Sequence, residues 1–174
     1  VRQAIDDYRM IADGDRIAVG ISGGKDSLTL LYALSGLRRF YPKKFELAAL
    51  TVDLGFDHYD LSEIRQLCKT LDVEYHVIKT KIGEIVFEER KESSPCALCA
   101  KMRKGALNDY ARQIGCNKVA YAHHMDDIIE TMFLSMFYEG QFYSFAPVTY
   151  LDRSGITVIR PLMYVPEANV IGFL

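Results

Sequence analysis

The chain lacks any stretch of about 18 apolar residues, so no membrane span is expected. No signal peptide is expected at its start either: Val1-Arg2-Gln3-Ala4-Ile5-Asp6-Asp7 places acids where a signal peptide needs an apolar core. Internal repeats and low-complexity linkers are missing. Charge of one sign is missing too, with 21 Lys and Arg against 23 Asp and Glu and a net charge of −2. That balance argues against a broad nucleic-acid footprint, which reads as basic. The local basic clusters, Arg38-Arg39 with Lys43-Lys44 and Lys101-x-Arg103-Lys104, read first as solvated faces. Four cysteines without secretory features point to a reducing, cytoplasmic compartment rather than to disulfides.

What remains is ordinary globular composition, 49% hydrophobic and 25% charged over 174 residues, enough for one domain with a core. Strand-like and helix-like runs alternate. Strands are expected at Arg16–Ile21, Phe45–Val52, Glu74–Ile78, Lys118–Ala122 and Thr157–Arg160. Helices are expected at Gln3–Ile11, Ser27–Arg39, Asp60–Leu71, Ala97–Ile114 and Asp126–Tyr138, while 81–92 is charged and ambiguous. Asp60 and Asp126 are candidate N-caps, and Pro166 suits a first helical position. The alternation predicts an α/β fold, a doubly wound parallel sheet of about five strands with helices on both faces. Ligands of such sheets sit beyond the carboxyl ends of the strands. Three loops share that rim: the one after the first strand, Thr51-Val52-Asp53, and His123-His124-Met125-Asp126-Asp127.

The first loop, Ser22-Gly23-Gly24-Lys25-Asp26-Ser27, carries the strongest signal. Two glycines let the backbone approach an anion, and the following helix start offers amides and a positive dipole end. Ser22 and Ser27 supply hydroxyls, Lys25 a charge, and Asp26 a carboxylate for a divalent cation. A Walker A loop is excluded, because Val19 stands at the first glycine position and Asp26 follows the lysine. The dinucleotide fingerprint is excluded by the spacing of Gly20, Gly23 and Gly24.

Around the fourth strand's loop, Asp127, Glu130 and Thr131 share a helix face, and His123 and His124 read as contacts to phosphate or adenine, or one of them as simply packed. Cys96-Ala97-Leu98-Cys99 sits at a helix start, where thiolate is favoured, with Arg103 one turn beyond Cys99. The pair reads as a redox pair, as half of an iron–sulfur site or of a mixed Cys/His zinc site, or as two unrelated thiols. Cys116 follows the far end of the same helix, about 25 Å away at 1.5 Å per residue, and cannot join them. Cys68 lies on an apolar helix face and is a core candidate.

The hexapeptide Ser22–Ser27 resembles the pyrophosphate loop SGGxDS of the ATP pyrophosphatase superfamily, and all six positions match. Together with His-His-x-Asp-Asp-x-x-Glu-Thr at 123–131 and Cys-x-x-Cys at 96–99 it resembles the tRNA 2-thiocytidine synthetase family, from about Asp13 to Pro166. One departure is Met125, where that family commonly carries a basic residue. The resemblance implies a single pyrophosphate-loop domain over 1–174, with the family's C-terminal part expected to be missing. It implies that ATP adenylates a cytidine C2 oxygen in a tRNA anticodon loop and that sulfur then displaces AMP. The implied site is Lys25 and the loop residues Ser22, Gly23, Gly24 and Ser27 on phosphate, Asp26 on Mg²⁺, Thr51, Val52, Asp53 and His123 on the nucleotide, and Asp127 with Arg103 assisting. Cys96 and Cys99 would ligate a [4Fe–4S] cluster whose third cysteine lies beyond this sequence. Partners implied are tRNA and a sulfur donor such as a cysteine desulfurase; a homodimer is compatible, and no membrane is involved. Other classes left open are a nucleotide-binding or redox-sensing module, and a tRNA ligase resembling lysidine synthetase, a family without this cysteine pair.

Overall fold

A computed structural model describes residues 1–56, 60–86 and 95–173. The charged segment that was ambiguous in sequence falls partly outside these residues; its described part is a single helical turn. In chain order the elements are α1 (Arg2–Asp7), β1 (Asp15–Gly20), α2 (Lys25–Arg38), β2 (Phe45–Asp53), α3 (Ser62–Thr70), β3 (Glu74–Lys79), α4 (Ile82–Glu84), α5 (Pro95–Gln113), β4 (Lys118–Ala120), α6 (Met125–Leu134), β5 (Val148–Leu151), β6 (Ile156–Ile159) and α7 (Glu167–Ile171). After α6 the helix widens into π-type turns over Ser135–Glu139.

The strands form one sheet in the order β3-β2-β1-β4-β6-β5. All neighbours are parallel except β5, which pairs antiparallel with β6, Val148 opposite Ile159. Sequence alternation had predicted five parallel strands; β5 is the addition. Side-chain alternation in β1 and β2 builds the two helix layers. Ile17, Val19, Leu47 and Ala49 face a core with Leu30, Leu31 and Leu34 of α2 and Ile64 and Cys68 of α3. Ala18, Ala48 and Leu50 face the other core, with Leu107 and Ala111 of α5, Cys116 and Val119. Both sides of the central strands are thus dry, as a parallel sheet requires. At Gly20 a Cβ would stand 3.0 Å from Leu107 Cδ1, so glycine lets α5 lie close to the end of β1.

Several boundaries move. The leading helix stops at Asp7, and β4 spans only three residues. Asp60 is not the cap of α3: Leu61 holds that position, and Asp60 Oδ1 instead accepts from the Ser62 N–H at 2.9 Å. Pro166 precedes α7 as its N-cap rather than opening the helix. In α6 and the π-type turns after it the apolar positions do not form a buried face: Ile129, Phe133, Leu134, Met136 and Phe137 are exposed.

The amino end of the β1–β4 ladder is locked by a polar cluster. Asp15, 5% exposed, accepts from Ala12 N–H (2.6 Å) and Asn117 Nδ2 (2.8 Å) and pairs with Lys118 Nζ at 2.7 Å. Burial by itself would raise the Asp15 pKa, but the hydrogen bonds from Lys118, Ala12 and Asn117 outweigh it and hold the carboxyl below its ordinary 3.8. A carboxyl depressed in the folded state stabilises the fold above the unfolded-state value, and this contribution fades as the pH falls through the folded-state value. Asp15→Ala, which leaves the Lys118 ammonium unpaired, is expected to cost about 3 kcal/mol in urea unfolding at pH 7. The deficit relative to wild type should shrink as the pH is lowered below about 4.

Candidate functional site

Strand β1 ends at Gly20, and the chain turns through Ser22–Gly24 into α2. Gly23 adopts φ +81°, the left-handed region that a side chain disfavours. The two serines bind the loop to itself. Ser27 Oγ donates to Gly24 C=O (2.9 Å), Ser22 N–H donates to Ser27 Oγ (3.2 Å), and Gly24 N–H donates to Ser22 Oγ (3.3 Å). The serines expected on phosphate therefore first shape the cradle. The first backbone bond into α2 runs from Leu28 N–H to Gly24 C=O, so the amides of Lys25, Asp26 and Ser27 precede the helical ladder, as anion-binding amides do.

A cavity of about 360 Å³ opens over this turn. Its walls include Ser22, Asp26 and Ser27 from the loop, Ala100, Arg103 and Lys104 from α5, and Tyr121, His123 and Asp127 around the end of β4. A second cavity of about 270 Å³ adjoins it, lined by Ile21, Ser22, Thr51–Leu54, Phe56 and Arg103. Arg103 and Val52 belong to both. Thr51 is buried, its hydroxyl donating to Ile21 C=O (3.1 Å) and accepting from Tyr75 OH (2.9 Å). Leu50 C=O accepts from Ile21 N–H. Strand alternation then turns the Val52 amide and carbonyl to the same side, toward the space β1 vacates.

The helix after β4 is capped differently from expectation. His124, not Asp126, is the N-cap of α6: its Nδ1 accepts from Asp127 N–H (3.4 Å), and Asp127 Oδ2 accepts from His124 N–H (2.8 Å). With Nδ1 an acceptor, the ring proton belongs on Nε2, which faces Asp26 Oδ1 at 3.8 Å. Asp126 Oδ2 accepts instead from Glu167 N–H of α7 at 2.6 Å. Asp126 lines neither cavity among the described residues, while Asp127 combines the cap with a place on the cavity wall.

His123 stacks on Phe145, with ring centroids 4.5 Å apart and planes at 26°. Its Nδ1 is buried without a hydrogen-bond partner among the described residues. Burial pushes its pKa down to about 4, helped by the charges of Arg160 and Lys104. The ring is therefore neutral at pH 7 and presents both a donor and an acceptor. Arg160 lies over Phe145 at 5.2 Å and donates to Ala146 C=O. Lys104 Nζ stands 5.9 Å from the Tyr121 ring.

Lys25 does not line either cavity among the described residues. Its Nζ is held by Asp26 Oδ1 (3.0 Å) and Glu167 Oε1 (2.9 Å). Pairing with Glu167, then with Asp26, raises its pKa above the ordinary 10.5.

Cys96 is exposed and Cys99 half-buried on the first turns of α5, preceding the cavity-lining Ala100 and Arg103. Cys68 is in the core and Cys116 is buried at the far end of α5. Burial lifts the Cys68 and Cys116 thiols to about 11. Among the described residues no three His, Cys, Asp or Glu side chains assemble as a metal site. The mixed Cys/His zinc site is thus not formed there. Two thiols on one helix also do not by themselves suit a [4Fe–4S] cluster, which takes more protein sulfurs. Asp26 suits Mg²⁺ better, since that ion needs only one or two carboxylates besides phosphate and water.

Sequence reasoning missed Glu167, Phe145 and Arg160. Arg160-Pro161 reads in sequence as a strand end and as the close of the family resemblance, with no role in the site, and no local spacing relates Glu167 to Lys25.

The sequence matches the PP-loop domain family over residues 1–174. The tRNA-cytidine(32) 2-sulfurtransferase of Citrifermentans bemidjiense is 44% identical over 174 residues, covering 99% of this chain and 68% of that protein. The protein of the same name from Geobacter sulfurreducens is 43% identical with the same coverage. Among solved structures, the U34-tRNA thiolase NcsA from Methanococcus maripaludis, with its [4Fe–4S] cluster, superposes with a TM-score of 0.75 at 23% identity, covering 98% of this chain and 59% of that one. The NH3-dependent NAD synthetase of Campylobacter jejuni gives 0.59 at 16% identity, covering 98% and 67%.

Native alkylation at pH 7.5 should label Cys96 first and Cys99 more slowly, and leave Cys68 and Cys116 untouched until the protein is unfolded; peptide mass mapping reads the order. In a histidine NMR titration the His123 ring should remain neutral down to about pH 5 and protonate near 4.

Proposed function

The chain belongs to the PP-loop family, and on that premise we propose that it is an ATP-dependent, AMP-forming tRNA sulfurtransferase that replaces the C2 oxygen of a cytidine with sulfur. The observation that carries this reading is one cavity walled by the Ser22–Ser27 loop on one side and by Arg103 and Lys104 of the cysteine-bearing helix on the other. Relatives at 43–44% identity bear the name of such an enzyme, which supports the substrate class.

In this reading the α2 amides and the Gly23–Gly24 turn receive the phosphates, and the Val52 backbone meets the adenine. Bound Mg²⁺, held by Asp26, would add charge neutralisation at the phosphates. The departing pyrophosphate carries its negative charge into a cradle of fixed amides and Lys25, which favours the charge that develops as the α–β bond breaks. The base enters from the α5 side, between Arg103, Lys104 and the neutral His123. His123 Nδ1 finds there the partner it lacks among the described residues, and Arg103 opposes the charge on the α-phosphate. Asp127 holds the α6 N-terminus in place through its cap. Cys96 and Cys99 lie one to two helical turns from Arg103, about 6–10 Å along the axis, close enough to hand on sulfur at the cavity mouth. A cluster would need ligands beyond these two, and no step is derived through it.

No helix among the described residues is long and apolar enough to cross a membrane. A cytoplasmic location, a cysteine desulfurase as sulfur donor and a homodimer complete the proposal. The weak net charge favours a nucleotide-binding or redox-sensing module as the second reading.

ATP with Mg²⁺ should raise the melting temperature; a ligand at 100 times its Kd adds about 2.7 kcal/mol. Asp26→Ala should remove most of the Mg²⁺-dependent part. With unmodified tRNA and a sulfur source the protein should form AMP and pyrophosphate, and the tRNA should gain about 16 Da, oxygen exchanged for sulfur. Cys96→Ser should abolish the mass gain while leaving ATP binding intact. ADP as product, or indifference to every tRNA, would support the sensor instead. The tRNA-stimulated turnover should fall as salt rises, because phosphate contacts release counterions.

A further inference from the structure

Lys25 sits within the phosphate-binding hexapeptide, yet its ammonium is turned to the C-terminal helix. Nζ is 2.9 Å from Glu167 Oε1 and 3.0 Å from Asp26 Oδ1, while its neighbours Asp26 and Ser27 face the cavity and Lys25 does not. The Glu167 end of this contact is built. Its backbone N–H is fixed to Asp126 Oδ2 (2.6 Å), Met125 N–H is bonded to Val165 C=O (3.0 Å), and Val170 of the same helix is fully buried. α7 is thereby fastened to the start of α6, and its first residue is carried to the phosphate loop. The carboxylate is a fixed neighbour of Lys25 rather than a chance surface partner.

The pair is also half-exposed, with side chains 37% and 45% accessible, so it adds little to folding. Such a pair is easily exchanged. A nucleotide's phosphates are a stronger attraction for an ammonium than one solvated carboxylate, and their charge repels Glu167 and Asp26 alike. Among the described residues, Asp126 and His124, whose Nε2 faces Asp26, also stand beside this contact.

Resting on the nucleotide reading above, we propose that Glu167 is a positioning residue for Lys25. It parks the ammonium outside the cavity, and ATP must take Lys25 from it on binding. Glu167 therefore competes with the phosphates, and occupancy of the loop is coupled to the hold of α7 on α2.

The test is calorimetric titration of ATP with Mg²⁺ into the full chain. Glu167→Gln keeps the side-chain shape and the backbone bond to Asp126 while removing the competing charge. A surface pair of at most about 1 kcal/mol predicts that ATP binds about two- to fivefold more tightly to E167Q than to wild type. In a Lys25→Met background the same substitution should change the affinity by less than that. Unchanged or weakened binding in E167Q overturns the assignment, as does an equal gain with and without Lys25. Failure of the wild-type chain to bind ATP at all overturns the nucleotide reading, and this one with it; the two failures are distinct.

Discussion

The short ladder between β1 and β4 is the constraint on which the site depends. Only three residue pairs form it, Ile17 with Lys118, Ala18 with Val119, and Val19 with Ala120. Its amino end is locked by Asp15, Asn117 and Lys118, and its carboxyl end is free to part. From that parting the chain leaves in two directions: Ser22–Gly24 into α2, and Ala122–His124 into α6. Sheet order reverses here, since β2 and β3 lie on one side of β1 and β6 and β5 beyond β4. A crevice at the reversal is a topological consequence, and the first cavity occupies it. The N-terminus of α2 faces this space with its first amides outside the helical ladder, which suits an anionic group, whereas the first amides of α6 are engaged by Val165 and His124.

Side chains on the two sides of the crevice differ in their duties. On the α2 side the polar groups are occupied in shaping the loop: Ser27 with Gly24, Lys25 with Asp26 and Glu167. On the α5 side Arg103 and Lys104 are exposed and lie along the wall. Between them His123 is held neutral by burial. In the proposed reading, the hydrogen-bonded loop is a pre-formed floor for phosphate, and the exposed side chains of Arg103 and Lys104 complete the second subsite on arrival. Long basic side chains lose entropy when they settle on a partner, so binding there is costlier but more discriminating than at the amide floor.

Legibility in the sequence followed the range of the interactions. The strand–loop–helix unit at 16–39 was readable because its signals are local: an apolar run, two glycines, then a helical period. The layers were readable for the same reason, and Cys68 and Cys116 fell where helix periodicity and rise placed them. The cap of α6 was not. Asp126 has a better intrinsic claim than a histidine, but Asp126 is drawn away by the Glu167 amide and His124 and Asp127 form the reciprocal pair. Strand β5 was missed because four residues, Val148–Leu151, give too little alternation to stand out, and their turn at 152–155 was not weighed as a hairpin signal. The apolar period of α6 was real, yet a period reports which residues share a face and not whether anything covers it.

Glu167 illustrates the limit most sharply. Nothing near it in sequence marks it as a partner of the phosphate loop, and its helix is only five residues long. Its place is fixed by an indirect chain of contacts: β4 sets α6, the first turn of α6 offers Asp126 and the Met125 amide, and these hold Val165 and Glu167. The same three-pair ladder that opens the crevice therefore also determines which carboxylate stands beside Lys25. Loosening the β1–β4 lock at Asp15 would consequently be felt at both rims of the crevice, although Asp15 lies at the opposite end of the sheet and touches neither.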